Sequence, residues 1–411
     1  MPGTPSVGAA LPDEEVPQLT HAQIFRRFLR FGLLAWGGPV AQIAMIRREL
    51  VDGEHWMSSA RFNRLLAVYQ VLPGPEAHEL CVHLGMLAGR RIGGILAGLG
   101  FMLPGFVLMF VLSWLYLSTG LVGALAGAAF LGVQPAVVAL IVRAVHRIGA
   151  HILLDRWLWA IAVLAGAAAF AGAPFWLTLP VSGLAYMSAA GGRRAAASLL
   201  TAGLLGIVIY FAWMALGAAP VEAGLAVEDL ADRRPSLLEL FLSGLKAGLL
   251  TFGGAYTVIP FLREDAVESG WMTDAQFLDG LALSGILPAP LIIFSTFVGY
   301  AGGGPIGALV MTVGIFLPAF SFSLLFHSQL ERLVHNLTIR ALLEGVAAGV
   351  VGLIAATTIE LAFTTFARFT SGWAPAAIFA VSLLALYRLK STTAVVWVIF
   401  AAGLAGLVLF G

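Results

Sequence analysis

The sequence predicts an all-α polytopic membrane protein of about 13 transmembrane helices, arranged as two inverted-topology repeats that contain broken helices. Three observations lead there. Of 411 residues, 60% are hydrophobic and only 11% charged, with a mean hydropathy of +0.93, whereas about a quarter of an ordinary soluble domain is charged. Apolar runs of helical length follow one another along most of the chain, and a bilayer admits only structures that satisfy their backbone polar groups internally. The alternating ten-residue pattern of an outer-membrane barrel is missing. Finally, the chain repeats itself: GLLAWGG at 32–38 returns as GLLTFGG at 248–254, and LPGP at 72–75 returns as LPAP at 287–290.

Residues 1–20 are Pro-rich and acidic, with neither a basic start nor an apolar centre, so they read as a disordered cytoplasmic tail and not as a signal peptide. The first repeat is expected over 21–194, with spans near 24–46, 62–89, 92–118, 121–145, 157–172 and 174–190. A further span near 195–217 and the polar stretch APVEAGLAVEDLADRRPS form a linking segment, 195–236. The second repeat, 237–411, supplies spans near 237–259, 277–301, 305–327, 339–366, 373–388 and 392–410. An odd span between the copies makes the second enter from the opposite side.

Basic residues favour an N-in, C-out orientation, because cytoplasmic loops carry the excess of Lys and Arg. The exception is Arg47, Arg48, Arg61 and Arg64, which a crossing at 24–46 puts outside. Either the first crossings are misread or these arginines serve another purpose.

The register of the repeat is tight. Arg48-Glu49 matches Arg263-Glu264, Trp56-Met57 matches Trp271-Met272, Phe62 matches Phe277, and Leu103-Pro104 matches Leu317-Pro318. Lys246, inside a span, corresponds to Arg30 or Phe31. Inverted repeats are frequent in secondary transporters, whose substrate site lies near the midplane between copies.

What recurs is mostly Gly and Pro within apolar runs: Gly37, Gly38, Pro73, Gly74 and Pro75 in one copy, Gly253, Gly254, Pro288, Ala289 and Pro290 in the other. Two prolines around a small residue stop one helix and start another. A half-helix beginning there presents free N–H groups and a partial positive charge, so two such ends make a site for a small oxyanion. The same residues also serve kinks and close helix packing. Arg48 and Arg263 are the expected anion contacts, since a planar guanidinium suits tetrahedral oxyanions such as chromate, sulfate or phosphate; interfacial anchoring is the plainer alternative. Glu76, His78, Glu79 and His83 follow the first break directly, and ionisable groups within a span are functional candidates. Glu76 on the first turn would compete with a bound anion and so couple a proton to it, with His78, Glu79 and Glu264 as further protonation candidates.

Other chemistries find no support. The net charge is +1, which leaves no nucleic-acid footprint. A single cysteine, Cys81, excludes an internal disulfide framework and a CxxC pair. Without a GxxxxGK[ST], GxSxG or HExxH motif, no nucleotide-driven or hydrolytic activity is signalled, and no metal or other cofactor is expected.

At these residues the chain resembles the chromate ion transporter family in its long two-domain form. The resemblance rests on FGLLAWGGPVAQIAMIRREL at 31–50, VLPGPEAHEL at 71–80, LPGF at 103–106, TFGGAYTVIPFLRED at 251–265 and ILPAPLIIFSTFVGY at 286–300, and covers nearly everything after residue 20. It departs at Ala289, where the second motif lacks its glycine, and in the His-rich stretch 78–83. The resemblance implies a bacterial inner-membrane exporter of chromate that confers chromate resistance, driven by the proton motive force and competed by sulfate. It implies no enzyme activity. A broader sulfate-like carrier or channel is the alternative, a membrane-embedded enzyme a remoter one. The sequence does not fix the oligomeric state, and a homodimer is one arrangement open to it.

Overall fold

The computed structural model describes residues 16–70, 72–118, 124–217, 234–252, 254–325, 336–369, 373–389 and 391–411. Most of the predicted tail, Gly253 and much of the polar linker lie outside the described residues.

The first repeat opens with α1 (His21–Leu33), where Thr20 and Gln23 form a capping box. A turn at Gly37 leads into α2 (Gly38–Ile46), which continues as the π-helical turn Arg47–Gly53. Next comes α3 (Ser59–Tyr69), capped by Ser58, and then the break carrying Pro73 and Pro75. The long helix α4 (Glu76–Ser118) is interrupted at Gly89 and Arg90, where the backbone reverses. Four helices follow: α5 (Ala124–Ile152), α6 (Arg156–Phe170), α7 (Phe175–Ala190) and α8 (Arg194–Gly217).

The second repeat copies the order. Ser236 and Glu239 cap α9 (Leu237–Leu249) with a second capping box. A 3-10 turn (Ala255–Val258), α10 (Ile259–Arg263) and a π-helical turn (Glu264–Glu268) follow. Then come α11 (Asp274–Gly285), the second break and a 3-10 turn at Leu291–Ile293. α12 (Phe294–Leu325) reverses at Gly303 and Gly304, and α13 (Leu337–Phe366), α14 (Trp373–Arg388) and α15 (Ala394–Phe410) complete the copy.

Several expected crossings prove to be hairpins that enter and leave by one face. α1, α2 and α3 have 13, 9 and 11 residues, too few for a hydrocarbon core of about 30 Å at 1.5 Å per residue. Ion pairs join Arg27 to Glu54, and Arg30 to Glu49 at 3.3 Å, so α2 returns beside the start of α1. The two limbs of α4 run antiparallel so closely that a Cβ on Gly85 would stand 2.5 Å from the Gly93 carbonyl oxygen; Gly299 and Gly307 repeat the contact at 2.5 Å. The predicted spans 24–46, 62–89, 237–259 and 277–301 are therefore re-entrant. Among the described residues, five helices are long and apolar enough to cross a membrane, and four shorter apolar ones, α6, α7, α14 and α15, accompany them. Arg47, Arg48, Arg61 and Arg64 consequently share a face with Arg90 and Arg91. We call it the first face; α5 returns to it at Ile152.

The second limbs of α4 and α12 pack antiparallel through Gly98 on Phe320 and Gly94 on Leu324, as inverted copies require. Ion pairs correct the register of the repeat. Lys246–Asp265 at 2.5 Å copies Arg30–Glu49, and Arg263–Glu268 at 3.9 Å copies Arg47–Asp52 at 3.8 Å. Arg263 therefore corresponds to Arg47, not Arg48, and Lys246 to Arg30; the one-residue gap falls just before Trp271. On the spanning helices, Gly132 packs on Gly406 of α15 as Gly345 packs on Gly183 of α7, which pairs Arg147 of α5 with Glu360 of α13.

Candidate functional site

Both re-entrant turns and both breaks end inside the protein, around a cavity of about 470 Å³. The chain bends into it because glycine permits what other residues do not: Gly37 and Gly38 have φ of 89° and 78°, and Gly254 has 130°. Gly37, Gly38, Gly254, Glu76 and Ala289 line the wall, as do Gln70, Tyr256 and Ser284. α2 begins at Gly38 and α4 at Glu76, so two helix N-termini of the first copy face this space, together with the turn after Gly254 from the second. The Gly74 amide donates to the Thr251 carbonyl at 2.8 Å, which ties the first break to the re-entrant turn of the other copy.

The basic side chains of the cavity come from α5. Arg143, Arg147 and His151 line it from one face of that helix, spaced four residues apart. Arg147 is exposed to the cavity and lies close enough to Glu76 and Tyr256 to interact with both electrostatically. The cavity opens at the first face, where Arg147, His151 and Ser391 are exposed. Neither Arg143 nor Arg147 is among the anion contacts expected from the sequence. The signal was RxxxRxxxH within an apolar helix, a single stripe at helical spacing.

Of the expected anion contacts, neither arginine reaches the cavity wall. Arg48 is exposed on the π-helical turn. Arg263 is engaged by carboxylates: its Nε donates to Asp274 Oδ1 at 2.8 Å and its Nη1 to Glu360 Oε2 at 2.6 Å. Its fork finds internal partners and is not offered to a ligand. Pro73, Gly74, Pro75, Pro288 and Pro290 shape the breaks from behind the wall, and Gly253 lies outside the described residues. Glu264 is half-buried near Lys246, away from the cavity. His78 is fully buried in an aromatic cage, 4.9 Å from the Phe316 ring and 4.8 Å from Phe320, so it packs the two repeats together. His83 is buried beside Tyr69. Glu79 is fully buried behind Gly74, and its carboxyl oxygens find no hydrogen-bond partner among the described residues.

A cavity with two guanidinium groups, helix N-termini and one carboxylate suits a small multivalent anion. The family model described as Chromate transporter matches residues 22–223 and 238–407, once over each repeat. The chain belongs to the chromate transporter family. A chromate transport protein of Pseudomonas aeruginosa is 63% identical over 394 residues, covering 96% of this chain and 94% of that one. One from Cupriavidus metallidurans is 31% identical over 88% of this chain and 87% of the relative, and an uncharacterized transporter of Methanocaldococcus jannaschii is 29% identical over 89% of each. No solved structure matches the chain. In this chromate transporter family member the cavity brings Gly37, Gly38 and Gly254, with Leu287 and Ala289 of the second break, to the α5 arginines.

Proposed function

We propose that the protein exports chromate from the cytoplasm, taking up the dianion in the cavity between the two breaks, where Arg143 and Arg147 bind its oxygens and the Gly38 and Glu76 helix ends complete the positive field. The observation that carries this reading is the Arg143–Arg147 pair, one helical turn apart, facing a cavity built from the repeated motifs of both copies. It is a transporter and not an enzyme.

The first face is the cytoplasmic one, because the described arginines gather there: Arg26, Arg27, Arg47, Arg48, Arg61, Arg64, Arg90 and Arg91. The C-terminus then lies on the outer, periplasmic side of a bacterial inner membrane. An interior-negative potential favours outward movement of a dianion by about 4.6 kcal/mol per 100 mV, twice the value for one charge. The electrical part of the proton motive force thus suffices to set the direction. Glu76 shares Arg147 with the anion, so proton and anion occupancy of the cavity are linked; Glu79, buried and unpartnered, is the second candidate to hold a proton.

The test is chromate flux in proteoliposomes with the membrane potential and the pH gradient imposed separately. An outward-directed flux that follows the potential supports the reading; flux indifferent to both gradients and to an Arg143→Gln change refutes it. The site reads charge and tetrahedral shape, which sulfate shares, so sulfate competes in the same assay.

A further inference from the structure

The two faces of the molecule are closed to different degrees by equivalent parts. Near the second face, Arg263 joins α10 to α11 through Asp274 and to α13 through Glu360, with Glu268 alongside. α10 packs directly on α13, whereas no comparable packing joins α2 to α5. On the first-face side that gap is the cavity mouth. The structure is thus open at one face and shut at the other, and the shut side shows what closure looks like in this fold.

Inverted copies exchange their arrangements when access alternates. Shutting the first face in the way the second is shut brings α2 onto α5, and so places Arg47 against Arg147 where Arg263 now meets Glu360. The chemistry of the two contacts is opposite. Arg263 is the one cation among the carboxylates of Glu268, Asp274 and Glu360, and it attracts each of them. Their equivalents Arg47, Asp52, Ser59 and Arg147 carry one net positive charge, with a second guanidinium, Arg143, a turn away. Two like charges brought together out of water repel strongly. Glu76 matches Arg147 and Asp52 matches Arg47, which leaves Arg143 without a counter-charge in the closed arrangement. A tetrahedral dianion offers a pair of oxygens to each guanidinium and turns the repulsion into attraction.

We propose that Arg47 and Arg147 close on the transported anion, so that the first face shuts around a bound dianion while the second shuts by itself through Arg263 and Glu360. Arg47 is then a substrate contact of the occluded state although it stands outside the open cavity. The proposal rests on the chromate reading above and adds to it a coupling rule: the empty protein rests open to the first face, loading closes that face, and loss of the anion at the other side restores the repulsion that reopens it.

The test uses the full-length protein with Val395→Cys as reporter on the cavity wall, half-buried in the open state; the native Cys81 is buried. Inverted vesicles are treated with a membrane-impermeant maleimide. Without chromate the reporter labels rapidly, and chromate slows it. Arg47→Glu recreates with Arg147 the pair seen at Arg263 and Glu360, so labelling without chromate falls roughly fivefold or more. Adding Arg147→Glu restores the like-charge clash and rapid labelling, which separates closure from misfolding. Labelling of the Arg47→Glu protein at the wild-type rate overturns the proposed gate. If chromate slows labelling of the wild type while Arg47→Glu does not, the binding site stands and the gate falls. Should Arg47→Glu slow labelling while chromate has no effect, the gate stands and the substrate is another anion.

Discussion

The Gly74 amide donates to the Thr251 carbonyl across 2.8 Å, so the break in one repeat is held by the re-entrant turn of the other. Gly74 reaches this bond with φ of 148°, and a Cβ there would stand 2.7 Å from Glu79 Oε1.

Gly74→Ala should therefore cost stability by about 1–3 kcal/mol, from backbone strain and the displaced carboxyl, and should lower chromate flux by disturbing both turns at once. The equivalent Ala289 shows that the second break tolerates a Cβ, since its φ is not positive. A thermal midpoint for Gly74→Ala equal to that of the wild type would show that the contact is not needed.

Re-entry makes a prediction about sidedness. Cysteines placed at Arg61 and at Arg91 should label with an impermeant reagent from the same side of sealed vesicles, against the buried background of Cys81. Labelling from opposite sides would restore a crossing between them.

Arg90 holds φ of 53° and ψ of −154°, a region that belongs to glycine, and Gly304 fills the same place in the second copy at φ of 61°. Arg90→Gly should raise the stability of the protein by about 1–3 kcal/mol, read as a higher midpoint of unfolding in detergent. A fall would mean that the Arg90 side chain contributes more than its backbone costs.

The duplication, both breaks, the turn at Gly37 and Gly38 and the position of Glu76 after the first break were legible in the sequence because each is a local pattern of small, Pro or charged residues in an apolar run. The re-entrant folding was not. Hydropathy reports apolarity and not direction, and two half-helices such as α1 and α2 together have the length of one span. The single contrary sign was the arginine group at 47–64, which re-entry explains. Arg263 was misjudged because a guanidinium fits carboxylates as well as oxyanions, and its partner Glu360 lies 97 residues away. Arg147 lay outside the expected site because it does not recur in the second copy, where Glu360 stands; only its spacing from Arg143 and His151, on one helical face, pointed to it.

Binding of the transported anion by the α5 arginines, in the cavity between the breaks, is read by equilibrium binding of radiolabelled chromate to the purified protein. Arg147→Gln should weaken binding by roughly tenfold to a hundredfold, the worth of a charged hydrogen-bond pair, while Arg48→Gln, on an exposed turn off the cavity wall, should leave it unchanged. Wild-type affinity in Arg147→Gln, or an equal loss in both variants, would contradict the account.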